Sequence, residues 1–314
     1  MSEQKVPRPR PRFWLRRLVV GVVALLVIAL VAVGVRWALL PGDDVEVVQA
    51  GGLTISDRAA GTVAADEVSV HVDAALGIIE IHDAAGVVWR NDPGAAFLTA
   101  ARGSLSVEEH RGYFWPATHH DEVFTEQTVT DVTAGGSSVM VQGMLGGAGE
   151  EQLPWRATVS ARDEGGVSLS VTLLRGGADV IGLVSGREGG AVHGLGAQFA
   201  PADLSGRVVP VIVREQGVGR GSQPLTFLAD LTEGGAGGSE AMTYAAWSSF
   251  LIHGDWRTFG VRLDPDRPTS HAFAAVDARD DRRVTLEVWA DRLDVQLTAG
   301  ITPLDTITAQ QAGV

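Results

Sequence analysis

Short segments of alternating apolar and polar residues recur through most of the chain, and they limit the fold more than any other feature. Residues 68–72, Val-Ser-Val-His-Val, are an example. This alternation predicts β-strands with one buried and one exposed face. Glycine- and aspartate-rich turns separate the strands, and Gly86 stands where a hairpin needs a positive φ. Because no long amphipathic helix and no βαβ pattern intervenes, the sequence predicts an all-β sandwich.

The other predicted strands share this alternation. They are 78–82, 87–89, 138–142, 155–161, 167–174, 208–213, 259–263, 271–275, 284–290 and 294–299. A second hairpin turn is predicted at 163–166, Asp-Glu-Gly-Gly. The glycines of 234–238 predict a flexible loop tip.

An uninterrupted apolar run at 18–35, extended by 36–40, precedes the strands. About 20 apolar residues span a bilayer, so 18–40 is predicted to be a transmembrane anchor. Seven of the 25 basic residues but one of the 38 acidic residues lie in the first 36 positions. The positive-inside rule therefore puts the 1–17 tail in the cytoplasm and 43–314 outside, with Trp14 and Trp37 near the two interfaces. A cleaved signal peptide stays the alternative, although no A-x-A site follows the run.

Charge and composition exclude several function classes. After residue 36 the chain carries 18 basic and 37 acidic residues, a net charge of −19. Such an acidic surface argues against nucleic-acid binding. The absence of cysteine excludes disulfides, thiolate metal sites and cysteine nucleophiles. The hydrophobic content of 45% suits a sizeable core.

The sequence His119-His120-Asp121-Glu122 suggests a metal site at first sight. Adjacent side chains on a strand point to opposite faces, so these four cannot bind one ion. We expect a solvated loop here, and neither a metal nor another cofactor.

Three further patterns give weak signals. Residues 217–221 resemble a phosphate loop but lack the following Lys-Ser/Thr and a βα unit. Ser248 and Ser249 lie in no G-x-S-x-G frame, which leaves a serine hydrolase unsupported. Each tryptophan could be a sugar-stacking platform, but core packing is the more common role. The tryptophans considered are 89, 115, 155, 247, 256 and 289.

Three submotifs at 194–220 follow one another in a fixed order. They are Gly194-x-Gly196-x-Gln198-Phe199, Asp203-Leu204-x-Gly206-Arg207 and Glu215-Gln216-Gly217-Val218-Gly219-Arg220. This run resembles the N-terminal β-sandwich domain of family 31 glycoside hydrolases, the α-glucosidase family, and within it the bacterial sulfoquinovosidases. Residues 79–89 and 300–305 resemble the family's early hairpin and the segment that closes its sandwich. The resemblance covers about residues 50–310, and it departs from the family at Ala197, where an acidic residue is usual.

The resemblance implies a galactose-mutarotase-like sandwich over 61–314, preceded by a linker and first strand at 41–60. In the family, two catalytic carboxylates lie on a (β/α)₈ barrel after the sandwich, and a barrel needs about 200 residues. The chain reaches only Val314, and it contains no Trp-x-Asp-Met nucleophile segment. Trp289-Ala290-Asp291 lies in a strand pattern and is interpreted as structural. We therefore expect no catalytic residues and no glycosidase activity from this chain alone. The barrel would be missing through truncation, a frameshift or a split gene, and in the last case a separately encoded barrel domain would be a partner.

The resemblance also places the 194–220 loop at the rim of the sugar site. Arg220 is the leading candidate for binding an anionic group or hydroxyls of an α-glycoside, with Gln216, Glu215 and Gln198 as hydrogen-bond partners. The alternative for these residues is a bracing role, with Arg220 paired to Glu215 or Asp203. The alternative for the whole chain is a stand-alone carbohydrate-binding or cell-envelope interaction module.

Overall fold

A computed structural model of the chain describes residues 13–38, 42–175, 177–233, 235–254, 257–264 and 273–312. The predictions for residues 1–12, 39–41, Gly234, Trp256 and 271–272 lie outside the described residues, as does the side chain of Trp37.

The described residues are mostly β-structure, as predicted. The strands are β1 Leu53–Ile55, β2 Gly61–Ala65, β3 Val68–Asp73, β4 Ile78–Asp83, β5 Gly86–Arg90, β6 Leu98–His110, β7 Tyr113–Gly135, β8 Ser138–Gly147, β9 Gln152–Ala161, β10 Val167–Leu173, β11 Val180–Gly186, β12 Ala191–Gly196, β13 Val208–Pro210, β14 Ala246–His253, β15 Thr258–Leu263, β16 Ala274–Asp277, β17 Arg283–Val288 and β18 Arg292–Gly300. The helices are α1 Phe13–Ala38, α2 Leu225–Glu233 and α3 Pro303–Gln311, besides a single 3₁₀ turn at Asp57–Ala59.

Two sheets contain all of these strands. The larger has 14 strands in the order β12-β14-β15-β18-β10-β9-β8-β7-β6-β11-β17-β16-β13, with β1 paired to β7. The smaller has the order β2-β3-β4-β5. Within the described residues, every named pair of strands is antiparallel except β1 with β7.

The alternation in the sequence corresponds to alternating burial in the structure. Strand β3 alternates between buried and half-buried residues along its whole length. Both sheets contribute inward side chains to the larger of two hydrophobic clusters, which includes Val70, Ile79, Val141 and Trp155. Trp155 packs edge-to-face on Phe97 at 5.5 Å between ring centroids. The positive φ predicted for Gly86 is confirmed at 121°.

Two long strands, β6 and β7, were not predicted. They contain 13 and 23 residues, and their pairing shifts register between Arg102 and Gly103. The pairing of β7 with β8 shifts twice more. Each β-bulge inverts the phase of the alternation, so the pattern never persists long enough to be recognised.

Helix α1 has no buried side chain among those described and is long and apolar enough, over 16–35, to cross a membrane. A signal sequence near the N-terminus would meet the same test. The helix begins at Phe13, inside the segment predicted to be a basic tail. At the other end of the chain, α3 begins with a capping box in which Thr302 and Asp305 bond each other's backbone N–H groups.

Residues 42–49, here named the strap, connect α1 to the sheets and are hydrogen-bonded along their length. The Asp44 N–H donates to Pro116 O (3.0 Å), and the Asp44 carbonyl accepts from Thr118 N (2.9 Å). Further along, Glu46 N donates to Thr118 Oγ1 and Val48 N to Glu287 Oε2, both at 2.8 Å. The strap is therefore hydrogen-bonded to strands β7 and β17 and is not a free linker.

Candidate functional site

The 194–220 stretch begins with a bulge in the edge strand β12. Gly194, Leu195 and Gly196 have positive φ angles of 124°, 65° and 103°, and the pairing with β14 shifts register between the two glycines. A side chain at Gly196 would clash with the carbonyl oxygen of Ala245. Glycine is needed for both the backbone conformation and the close approach. The bulge directs the chain out of the sheet into the loop that follows.

Gln198 is half-buried directly after this bulge. Its Nε2 donates to the carbonyl oxygen of Leu195 at 3.1 Å. Its Oε1 is buried and accepts no hydrogen bond from the described residues. A buried amide oxygen without a donor is costly, so this atom is suited to a ligand or a water molecule.

The Asp203–Arg207 submotif bonds to the protein itself. Oδ1 of Asp203 accepts from Ser205 Oγ (2.5 Å), Ser205 N (3.0 Å) and Val192 N (3.1 Å). These bonds, that of the Ser205 hydroxyl first, hold the pKa of Asp203 below its ordinary value although desolvation opposes them. Nε of Arg207 donates to Glu240 at 2.8 Å. This part of the loop is a brace.

Arg214, which the sequence did not single out, is the most deeply buried charged group of the stretch. Its side chain is fully buried and forms a two-pronged ion pair with Asp43 of the strap, at 2.5 and 2.7 Å. Nη1 also donates to the carbonyl oxygen of Phe114 at 2.6 Å. A planar guanidinium matches a carboxylate in this way, and the pair ties the loop to the strap.

Glu215 faces a pair of tyrosines. The hydroxyl of Tyr244 donates to Oε2 of Glu215, and this bond raises the pKa of Tyr244. The pKa of Tyr113 is raised as well, by burial first and then by the negative charge of Glu215. The side chain of Gln216 is half-buried and makes no hydrogen bond within the described part of the chain.

The glycine-rich segment 217–221 rests on a second glycine-rich segment. Val218 N donates to Ala236 O at 2.8 Å, and Arg220 N donates to Gly237 O at 2.9 Å. A side chain on Gly237 would clash with the carbonyl oxygen of Thr226. The prediction of a flexible tip at 234–238 is therefore wrong for the described glycines, which are packed beneath the loop.

Arg220 itself adopts the left-handed conformation, with a φ of 51°. Its guanidinium Cζ lies 3.6 Å from the centroid of the Phe199 ring, and that ring is 47% exposed. Within the described residues Arg220 forms no ion pair with Glu215 or Asp203, so the pairing considered for a bracing role is not observed. Both of those carboxylates bond other partners.

The stacked pair lines an open cavity of about 560 Å³. The lining consists of Phe199, Gly217, Val218, Gly219, Arg220 and Ser222. Of the four predicted site residues, the cavity contains Arg220 but not Gln198, Gln216 or Glu215. Phe199 and Tyr244 were missed as partners. Phe199 stands in the first submotif, so its position there was the available signal.

The prediction of a solvated loop at 119–122 is wrong, because these residues lie within β7. The two histidines do point to opposite faces, as a strand requires. His119 is exposed, whereas His120 is buried beside Glu287, at 3.2 Å, and stacks on Trp289. In the described part of the chain no group of three or more His, Asp or Glu side chains could hold a metal ion.

Most of the tryptophans considered as sugar platforms are core residues. Trp89, Trp115, Trp155 and Trp289 are buried. Trp247 in β14 is the exception, because 58% of it is exposed. Ser248 and Ser249 lie in the same strand, where nothing suggests a nucleophile.

The β-rich fold is shared with part of a glycoside hydrolase. The chain is similar to a GH31 family sulfoquinovosidase from E. rectale, solved with an aza-sugar inhibitor, with a TM-score of 0.57 and 19% sequence identity. The match covers 74% of this chain and 32% of that enzyme, so the chain spans about a third of its length. A cycloalternan-degrading enzyme from Trueperella pyogenes aligns at a TM-score of 0.32, too low to bear on the fold. No protein-family profile and no curated protein matches the chain.

Proposed function

We propose that this chain is the substrate-rim β-sandwich domain of a membrane-anchored, family 31-related glycosidase. Residues 61–314 form the galactose-mutarotase-like domain, 18–40 anchor it, and the 1–17 tail is cytoplasmic. The fold shared with the E. rectale enzyme over 74% of the chain supports this proposal. The three ordered submotifs at 194–220 support it independently, because the first contributes Phe199 and the third Arg220 to one cavity.

The observation that carries the proposal is the position of Arg220 over Phe199 at the cavity. The aromatic ring covers one face of the guanidinium and leaves its N–H edges open to a ligand. Five fixed donors suit an anionic group or the hydroxyls of a sugar ring. Because neither Glu215 nor Asp203 neutralises Arg220, its charge is available. Three further groups are the proposed hydrogen-bond partners of the ligand. They are the unbonded Oε1 of Gln198, the side chain of Gln216, and Glu215 together with Tyr244.

The catalytic carboxylates in this proposal come from a barrel outside these 314 residues. Retaining glycosidases hold two carboxyl groups about 5–5.5 Å apart on either side of the scissile bond. The sequence offers no nucleophile segment of the family's type. This chain then shapes the sugar site and leaves the bond cleavage to its partner.

Reconstitution tests this proposal. The full chain in detergent is assayed on aryl α-glucosides and their 6-sulfonated analogues, alone and with a family 31 barrel encoded beside it. We expect no turnover alone and turnover with the barrel that falls in Arg220→Ala but not in Arg111→Ala. Turnover by the chain alone that requires one of its own carboxylates would overturn the proposal.

The second candidate, a stand-alone carbohydrate-binding module, is favoured by the exposed aromatic rings of Phe199 and Trp247. Exposed aromatic faces can stack on sugar rings. Calorimetric titration of the full chain with oligosaccharides separates the two candidates. A half-built site should bind weakly, because few groups offset the entropy lost on association, whereas a binding module should bind tightly and lose affinity in Phe199→Ala.

A further inference from the structure

Helix α2 directs two of its three leucines away from the protein. Leu225 and Leu228 are 57% and 53% exposed and, three residues apart, lie on one face. Two of its polar residues point inward, where Thr226 Oγ1 accepts from Gly221 N (2.9 Å) and Asp230 Oδ1 from Gly237 N (2.7 Å). A surface helix ordinarily has the opposite arrangement, with its apolar side inward. We name Leu225 and Leu228 the α2 face; it lacks a covering element among the described residues.

Two observations place the α2 face beside the end of α1. Helices α1 and α2 contact each other. In addition, Asp43, bound to Arg214, is five residues beyond Ala38, the end of α1. Five residues reach at most about 18 Å even when fully extended. The loop that leads into α2 therefore cannot lie far from the point where α1 ends.

The strap limits how far the β-domain can move from the end of α1. From Asp43 to Val48 it bonds Arg214, Pro116, Thr118 and Glu287 in turn. A flexible linker would let the β-domain turn freely relative to its anchor. A bonded strap instead keeps the side of the domain that carries Arg214 within that short reach of the end of α1.

We propose that the α2 face rests in the interfacial layer of the bilayer that α1 spans, so that the Arg220 cavity opens at the lipid surface. The partner is a lipid surface, which Leu225 and Leu228 would contact. The cavity is lined in part by residues 217–220 and 222 of the loop that leads into α2. This inference rests on the membrane anchor of the proposed function. A sugar that reaches Arg220 would then be met close to the membrane, as the headgroup of a glycolipid would be.

The chain contains no cysteine, so single cysteines can be labelled without side reactions. Leu228→Cys and, as a second variant, Leu225→Cys are labelled with an environment-sensitive fluorophore in the full chain. Leu76→Cys is the control, because Leu76 is 60% exposed but lies in a turn of the smaller sheet. The proteins are reconstituted in phosphatidylcholine–phosphatidylglycerol vesicles with and without shallow nitroxide-labelled lipid. Circular dichroism checks that each variant is folded.

We expect nitroxide lipid to quench the probes at 225 and 228 about twofold or more, since an interfacial side chain lies about 5–10 Å into the headgroup region. The probe at 76 should stay unquenched and accessible to aqueous iodide. Chain that withstands a carbonate wash but is unquenched at 225 and 228 would overturn the lipid contact and leave the anchor intact. Equal quenching at all three positions would also contradict it. Chain that the wash extracts would instead overturn the anchor itself.

Discussion

The guanidinium of Arg220 lies over the ring of Phe199, with Cζ 3.6 Å from the ring centroid, while the Arg220 backbone is held at a φ of 51°. A left-handed conformation costs a non-glycine residue about 1–2 kcal/mol. An exposed cation–π contact returns about 0.5–1 kcal/mol. The stabilisation from the stack does not offset the cost of the backbone conformation. An arginine at this position therefore suggests a functional role in addition to any effect on stability.

This comparison predicts that Arg220→Gly is more stable than Arg220→Ala. Both substitutions remove the stack, but glycine accepts the positive φ and alanine does not. We expect the glycine variant to exceed the alanine variant by about 1 kcal/mol in free energy of unfolding, measured by urea denaturation of the full chain in detergent. Both variants should lose the same activity in the reconstituted enzyme. If both variants unfold far more easily than wild type, Arg220 is a structural residue.

The ion pair between Asp43 and Arg214 predicts a second result. Asp43→Asn removes the charge that compensates a fully buried guanidinium. Loss of one partner of a buried pair costs about 3–5 kcal/mol. The control is Arg111→Gln, since the pair of Arg111 with Glu233 is exposed at both ends and is expected to contribute less than about 1 kcal/mol. Equal effects of the two substitutions on unfolding would show that Arg214 is not buried as described.

The alternation and turn glycines predicted most of the strands, because both signals act within a few residues. The pairs that shape the site have no such signal. Asp43 and Arg214 are 171 residues apart in the sequence. Likewise, the glycines at 217–221 indicated a loop with an unusual backbone conformation. No pattern in the neighbouring sequence indicated that Gly237 packs beneath this loop. The His119–Glu122 error has the same origin, since the partner of His120 is Glu287, far along the chain.

The buried pair of His120 and Glu287 predicts a dependence of stability on pH. Burial opposes the charged form of His120, but the hydrogen bond to Glu287 and the charge of Glu287 outweigh it and raise the pKa of His120 above 6.5. The protonated form therefore stabilises the fold fully below about pH 6.5, and this contribution disappears as the pH rises through the folded-state pKa.

Urea unfolding at about pH 5.5 and about pH 8.5 measures this contribution. The difference in stability between wild type and His120→Gln should be larger at the lower pH. The control is His119→Gln, because His119 is exposed on the opposite face of the same strand. A difference that is independent of pH would show that His120 does not titrate against Glu287.

Gly237 predicts a link between the packing beneath the loop and the cavity. A Cβ on Gly237 would clash with the backbone of Thr226 at the start of α2, and would also meet Asp230 Oδ1 at 2.7 Å. Because both of these neighbours belong to α2 and its backbone cannot yield locally, Gly237→Ala should separate the 236–238 segment from the loop above it. The Arg220 N–H would lose its acceptor on Gly237, and overpacking of this kind costs about 1–3 kcal/mol. We expect reduced stability together with weaker binding or turnover through Arg220.

The control is Gly149→Ala, since a Cβ there meets nothing closer than Glu151 N at 4.0 Å, and a change within about 0.5 kcal/mol is expected. Full activity in a Gly237→Ala variant that is destabilised would separate the loop packing from the site and count against the proposed role of this loop.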